Sequence, residues 1–106
     1  MFDTLEVMLQ VLEALVPIEA RVRKRSLELA KQMSRAADSV VLNLGEGRDR
    51  LDGDKRRHYE MARGSAGELT VALRIAVAKR IVTRDEHAPV DALLDRVRAM
   101  LYRLTH

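Results

Sequence analysis

The chain has 106 residues, of which 47% are hydrophobic but only 3% are aromatic. Its formal net charge is +3, and it contains no cysteine. This length favours one domain, residues 1–106, with a core of aliphatic side chains. The absence of cysteine excludes disulfides, cysteine-based zinc sites and thiol catalysis. The low content of glycine and proline disfavours a turn-rich β-sheet protein and favours helices.

The N-terminal segment is apolar but has neither the pattern of a signal peptide nor that of a membrane span. Asp3, Glu6 and Glu13 interrupt it, and no basic region precedes it. No run in the chain approaches the roughly 20 uncharged residues that cross a bilayer. We therefore expect a cytoplasmic protein that does not associate with membranes.

Apolar periodicity predicts two helices in the first half of the chain. The first covers residues 4–16, and Pro17 is expected to interrupt it because the proline ring clashes with the preceding turn. Pro17 also suits the first turn of a new helix, which would make the break short. The N-terminal helix is therefore expected to be short. The second covers residues 26–46, with Leu42 on its polar face and Gly47 ending it in a left-handed conformation.

A third helix is predicted to begin with Asp52 or Asp54 as its cap and to run to about residue 82. It has two opposed apolar faces, which predicts packing on both sides, by its own bundle and by another subunit. The inner face consists of Tyr59, Ala62, Ala66, Leu69, Leu73, Ala76 and Val77. The predicted oligomer interface consists of Gly64, Val71, Ile75, Ala78 and Val82.

The fourth helix is announced by a capping box, in which Thr83 precedes Glu86 by three residues. Pro89 follows within two turns, so the regular helix is expected to begin only there. Its single apolar stripe consists of Val90, Leu93, Leu94, Val97, Met100, Leu101 and Leu104. Short connections between the four segments predict an all-α, antiparallel, up-down four-helix bundle.

The charges are strongly segregated along the chain. Residues 1–20 sum to −4 and residues 21–35 to +5, and a second basic cluster covers residues 48–57. Arg56, Arg63 and Arg74 lie within about 20° of one another on a helical wheel and form a predicted arginine ridge. Arginine suits phosphate contact. The candidates for nucleic-acid binding are Arg21, Arg23, Lys24, Arg25, Arg56, Arg63 and Arg74.

The alternative interpretation of these charges is a solvated surface with local ion pairs. The scarcity of aromatic residues predicts that any nucleic acid is bound through its backbone, with little sequence specificity. No Glu-x-x-His motif, phosphate loop or marked catalytic set occurs, and the three histidines have no ligand spacing. We therefore expect no metal, no cofactor and no enzymatic activity.

Two stretches together resemble a known family. Residues 34–47 read SRAADSVVLNLGEG, and residues 58–69 read HYEMARGSAGEL. This order and spacing is similar to that of four-helix bundle proteins encoded in intervening sequences of bacterial 23S rRNA genes. The matching motif positions are Asn43, Glu46, Gly47, Arg63, Gly64 and Glu68. A departure occurs where the family often has Ile-Pro-Ser, since this chain has Val40, Val41 and Leu42.

The motif positions also have a physical interpretation. Asn43, Glu46 and Arg63 are expected to form a polar network that ties the end of the second helix to the bundle. Gly64 is expected to allow close helix packing.

The resemblance implies a homo-oligomeric ring, commonly a pentamer, and a biochemical role that is poorly defined. Accessory proteins of diversity-generating retroelements, related to this family, are basic barrels that engage nucleic acid and a reverse transcriptase. Two hypotheses follow for this chain. It binds the backbone of RNA or DNA through its basic residues, or it is a scaffold that engages a protein partner such as a reverse transcriptase.

Overall fold

The computed structural model describes residues 3–106, so that Met1 and Phe2 lie outside the described residues. It contains four helices, α1 (Asp3–Arg25), α2 (Leu27–Arg48), α3 (Asp52–Ala78) and α4 (Arg84–Thr105). Residues 3–106 contain no strand, which confirms the all-α prediction. Each helix contacts its neighbours in the chain, and α1 also contacts α4, which closes the bundle. No helix in this part of the chain is long and apolar enough to cross a membrane.

The core is aliphatic, as the composition predicts. Tyr59 is the one aromatic residue among the buried hydrophobic residues of the described chain. The largest fully buried side chains come from all four helices, and they include Met8, Leu15, Met33, Leu44, Leu69, Leu73, Leu94 and Leu101. Unbranched and γ-branched side chains of this kind fill the space between helices while favouring the helical backbone.

The first helix does not stop at Pro17, and the prediction of a short N-terminal helix is wrong. Pro17 is exposed within α1, where it removes one backbone hydrogen bond. Ile18 and Val22, one and five residues later, are 3% and 0% exposed. Burying these two side chains stabilises the continued helix enough to offset the cost of the proline.

The fourth helix begins at Arg84, so the prediction of a start at Pro89 is also wrong. The capping box is confirmed. Thr83 Oγ1 accepts a hydrogen bond from the Glu86 backbone N–H at 3.1 Å, and Glu86 Oε1 accepts one from the Thr83 N–H at 2.9 Å. These bonds fix the first turn of α4 before the exposed Pro89 is reached.

Both ends of α3 differ from the prediction. Leu51 occupies the N-cap position without a side-chain hydrogen bond, so neither Asp52 nor Asp54 caps the helix. The helix ends at Ala78, where Arg80 adopts a left-handed φ of 61°. Val82 therefore lies beyond α3 and is only 1% exposed, so its predicted place on the outer face of the third helix is wrong.

Gly47 does not end α2 in a left-handed conformation, because the helix continues to Arg48 and no glycine has a positive φ. The absence of a side chain at Gly47 instead leaves space for the ring of Tyr59. A Cβ atom placed on Gly47 would lie 2.6 and 2.8 Å from two ring carbons of Tyr59. The ring of Tyr59 thus packs directly on the backbone of α2, and only glycine permits this approach.

Candidate functional site

The basic residues at the end of α1 lie beside the start of α4. Arg21, in the last two turns of α1, forms an ion pair with Glu86 in the first turn of α4. This pair joins residues 21–28 and residues 79–86 into one surface, which we call the basic end. It contains seven basic and three acidic residues, a formal charge of +4 that exceeds the +3 of the whole chain.

Six basic side chains of the basic end are exposed and form no ion pair within the described chain. Three come from the last turn of α1 and three from the α3–α4 connection and the first residue of α4. They are Arg23, Lys24, Arg25, Lys79, Arg80 and Arg84. Like charges gathered on one surface raise its local potential and attract polyanions.

The ion pair between Arg21 and Glu86 shapes the electrostatics of this surface. The Arg21 guanidinium, together with two hydrogen bonds involving Thr83, lowers the pKa of Glu86 from 4.5 to about 2. The same contact raises the pKa of Arg21. Glu86 thus remains ionised and neutralises Arg21, so Arg21 contributes less free positive charge than its three neighbours on α1.

The second basic cluster is neutralised by local ion pairs. Residues 46–60 contain five basic and five acidic residues. Arg57 contacts Asp54 at 3.0 Å, Arg56 contacts Glu60 at 3.0 Å, and Arg50 lies 3.3 Å from Asp54. Residues 46–60 therefore form a solvated surface with local ion pairs rather than a surface of free positive charge that would attract a polyanion.

The members of the predicted arginine ridge are all exposed but have different surroundings. Arg56 is paired with Glu60, and the guanidinium of Arg63 lies 5.1 Å from the ring centroid of Tyr102. Tyr102 also stacks on His106 with the ring centroids 4.0 Å apart. Arg74 forms no ion pair within residues 3–106 and lies one turn before the end of α3. No pattern in the sequence predicts that Arg63 meets an aromatic ring, because Arg63 and Tyr102 lie on different helices.

Asn43 joins α2 to α3 through a partner that sequence reasoning missed. Its Nδ2 donates to the Ser39 carbonyl at 3.0 Å, and its Oδ1 accepts from His58 Nδ1 at 3.1 Å. Ser39 and Ser65 share a hydroxyl hydrogen bond at 2.8 Å. Because an amide oxygen only accepts, His58 must carry a proton on Nδ1. These polar contacts fix the register between the two helices.

The predicted network of Asn43, Glu46 and Arg63 is wrong. Glu46 lies 3.6 Å from Arg50, and Arg63 faces α4 rather than α2. Glu68, another motif position, lines an open groove of about 570 Å³ between α2 and α3, together with Ser39 and Ser65. The motif therefore serves the α2–α3 contact through Asn43 and Gly47, not through an ion pair.

The outward side of α3 keeps four of its five predicted members. Gly64, Val71, Ile75 and Ala78 are exposed, and the exposed fractions of Val71 and Ile75 are 57% and 37%. Apart from the adjacent residues and backbone of its own helix, no atom lies within 4 Å of a Cβ placed on Gly64, so its predicted role in close packing is not fulfilled inside one chain. We call these four residues the α3 outer face.

The fold is that of a small four-helix bundle. The protein family described as 23S rRNA-intervening sequence protein matches residues 5–103, and the chain belongs to this family. This confirms the resemblance drawn from the two sequence stretches.

A crystal structure from Bacteroides thetaiotaomicron VPI-5482 has the same fold. It is a protein of unknown function from the S23 ribosomal protein family, and it superposes with a TM-score of 0.89 at 15% sequence identity. The superposition covers 96% of this chain and 97% of that one. At this identity the likeness shows the fold alone. Among curated proteins, none matches the sequence.

Proposed function

We propose that this protein is a non-enzymatic helical bundle that binds the phosphate backbone of RNA or DNA through its basic end. The observation that carries the proposal is the contrast between the two basic clusters. Residues 46–60 are balanced by acids, whereas six cations of the basic end have no ion pair within the described chain. When unpaired lysines and arginines bind the phosphates of a nucleic acid, they displace its counterions. This release of counterions is the main source of affinity for the nucleic-acid backbone.

The experiment compares two variants that each lose three positive charges. One carries Arg23→Gln, Lys24→Gln and Arg25→Gln, and the control carries Arg50→Gln, Lys55→Gln and Arg57→Gln. Fluorescence anisotropy measures binding to labelled 20-nucleotide RNA, single-stranded DNA and duplex DNA at about 50 mM salt, where phosphate contacts are strong. We expect the first variant to lose about tenfold or more in affinity and the control to lose less than threefold.

Two outcomes would overturn the proposal. The first is that the wild type binds none of the three nucleic acids. The second is that both variants lose affinity equally, since binding would then depend on the net charge of the molecule rather than on the basic end.

We also propose that the four helices run antiparallel and that the protein assembles from several copies through the α3 outer face. The antiparallel arrangement is supported by the contacts between α2 and α3, in which Ser39 meets Ser65 while the later Asn43 meets the earlier His58. Assembly is supported by the exposure of the apolar side chains of Val71 and Ile75 in the single chain. Covering them with a second copy would remove apolar surface from water, which lowers the free energy.

Replacing Ile75 with Asp tests the assembly, because a carboxylate at the α3 outer face would oppose burial against a second copy. We expect light scattering to show that the wild type is an oligomer at micromolar concentration. The variant should be a monomer with an unchanged helical circular dichroism spectrum. A monomeric wild type would refute the proposal.

A scaffold that engages a protein partner is the second candidate function. Leu42 is 68% exposed on α2 and Leu51 is 80% exposed at the start of α3, and neither lies on the basic end. Their apolar surfaces are accessible to a protein partner. Pull-downs with the wild type and with a variant carrying Leu42→Ser and Leu51→Ser distinguish the two. A protein partner lost in the variant would favour the scaffold, and recovery of nucleic acid alone would count against it.

A further inference from the structure

The connection between α3 and α4 forms an open pocket within the basic end. Its volume is about 520 Å³, and one short stretch of chain, residues 77–84, contains all the residues that line it. They are Val77, Ala78, Arg80, Val82, Thr83 and Arg84. A cavity of this size falls in the range of about 300–1,000 Å³ that is typical of small-molecule sites. We call it the connection pocket.

We propose that the connection pocket binds a terminal phosphate, the phosphomonoester group that ends a nucleic-acid strand or a nucleotide, between Arg80 and Arg84. The proposal rests on the nucleic-acid binding proposed above, and it names the chemical group that the basic end recognises. A strand end and a free mononucleotide present the same group, so both are used in the test.

The two arginines of the connection pocket carry free positive charge. Both side chains are exposed, and neither forms an ion pair or a hydrogen bond within residues 3–106. The carboxylates that follow them in the chain do not pair with them, because Glu86 pairs with Arg21 and Asp85 forms no ion pair within the described residues. A guanidinium presents a planar set of N–H donors that suits phosphate oxygens. Two such groups at one pocket therefore favour an anionic ligand.

The charge of the pocket matches a terminal phosphate better than a phosphate within a strand. A phosphomonoester carries about −1.5 to −2 at pH 7, whereas each internal phosphate of a nucleic acid carries one negative charge. Arg80 and Arg84 together supply two positive charges. The shape favours the same ligand, because a pocket receives the end of a strand, whereas a continuous strand must leave it on both sides.

Thr83 adds a hydrogen-bond donor to the wall of the pocket. Its Oγ1 accepts from the Glu86 N–H at 3.1 Å, which fixes the side chain in the capping box. The hydroxyl hydrogen takes no part in that bond, so it is available to donate to a phosphate oxygen. The side chains of Val77, Ala78 and Val82 contain no polar atom, so we expect the pocket to recognise the phosphate and to discriminate little among bases.

The backbone at Arg80 is a second, independent reason to assign its side chain a role in binding. The Ile81 N–H donates to the Ala76 carbonyl at 2.9 Å, and this bond closes the end of α3. Arg80 donates its own N–H to the Val77 carbonyl at 2.9 Å and has a φ of 61°. Glycine is the usual residue at this left-handed position. Because the Arg80 guanidinium has no partner in the described chain, the fold gives no reason for arginine here.

The test compares strands that differ in their ends. Fluorescence anisotropy measures the binding of an internally labelled ten-nucleotide RNA that carries a 5′-terminal phosphate, a 3′-terminal phosphate or two hydroxyl ends. A twelve-nucleotide strand with hydroxyl ends has the same charge as the phosphorylated strands and corrects for net charge. We expect the wild type to bind at least one phosphorylated strand about fivefold or more tighter than the charge-matched strand at about 50 mM salt.

Single substitutions locate the site. Arg80→Gly and Arg84→Gln should each remove this terminal preference, leaving affinities for the phosphorylated and charge-matched strands within about twofold of each other. The control, Lys79→Gln, removes a neighbouring charge that does not line the pocket, so it should weaken binding to all strands and keep the preference. Arg80→Gly should also keep or raise the midpoint of thermal unfolding, because glycine suits the left-handed backbone. Its loss of the preference would thus report the missing guanidinium rather than a damaged fold.

Competition with adenosine 5′-monophosphate and with adenosine distinguishes the two sources of the phosphate. If only the monophosphate displaces the phosphorylated strand, a free nucleotide is a sufficient ligand. If neither displaces it while the terminal preference persists, the ligand is the strand end. Equal affinity of the wild type for phosphorylated and charge-matched strands, or a preference that survives in both arginine variants, would overturn phosphate recognition by the connection pocket and leave binding at the basic end intact. If no strand binds, both proposals fail.

Discussion

The contact between Gly47 and the ring of Tyr59 is a tight packing constraint in the α2–α3 pair. A Cβ at position 47 would meet ring carbons at 2.6 and 2.8 Å, and a buried aromatic ring cannot move aside as the end of a flexible side chain can. We predict that Gly47→Ala destabilises the fold by about 1–3 kcal/mol through overpacking. Urea unfolding followed by circular dichroism measures this change.

Gly45 provides the matched control, because it lies in the same helix and a Cβ there has no atom within 4 Å. Gly45→Ala should stabilise the protein by about 0.5–1 kcal/mol, since alanine has the higher helix propensity. Equal effects of the two substitutions would contradict the assigned role of Gly47.

The ion pair between Arg21 and Glu86 gives a prediction about pH. Because the pKa of Glu86 is lowered from 4.5 to about 2 in the folded state, its carboxylate stabilises the fold above pH 4.5, and this contribution is lost as pH falls toward 2. Glu86→Gln should therefore be less stable than the wild type at pH 6, and the difference should shrink between pH 4.5 and 2. Urea midpoints over this range test the prediction, and a constant difference would contradict it.

Among the elements, α1 shows most clearly how tertiary burial overrides a local signal. Pro17 is exposed in the middle of a helix of 23 residues. We predict that Pro17→Ala raises the free energy of unfolding by about 1–3 kcal/mol, because it restores a backbone hydrogen bond and removes a steric clash. Thermal and urea unfolding measure the gain.

The reverse change at a nearby exposed position is the control. Ala20→Pro should destabilise the protein by about 3 kcal/mol or more, because the surrounding helix has not adapted to a proline there. If Ala20→Pro lowers the free energy of unfolding as expected but Pro17→Ala does not raise it, α1 accommodates Pro17 without cost, and the prediction is contradicted.

The helices themselves were largely predictable, because their signals are local. The capping box at Thr83 marks the observed start of α4, although the expected delay of the regular helix to Pro89 is wrong. Ser26 caps α2 by accepting a hydrogen bond from the Leu29 N–H at 3.2 Å.

The end of α3 was not predictable from periodicity. Val82 is apolar and has the spacing of a residue on the helix, but it lies in the α3–α4 connection, where its side chain is buried. Only the backbone turn at Arg80 separates the two cases.

At the scale of the whole molecule, the candidate site was predictable only in part. The four basic residues of α1 were evident as a run in the sequence. Their combination with Lys79, Arg80 and Arg84 depends on how α1 packs beside α4. The neutralisation of residues 46–60 depends on which carboxylates the helical turns bring within reach. Charge counting along the chain does not reveal the combination of α1 with α4, because it arises from proximity in space, whereas the five basic and five acidic residues of 46–60 are already balanced in the sequence.

The salt dependence of nucleic-acid affinity tests the central claim most directly. The logarithm of the association constant should fall linearly with the logarithm of salt concentration, with a slope of about −0.7 to −0.9 for each phosphate contact. Replacing Arg23, Lys24 and Arg25 with glutamine should make this slope shallower by about 2–3, whereas replacing Arg50, Lys55 and Arg57 should leave it nearly unchanged. Equal slopes for the wild type and both variants would contradict binding at the basic end.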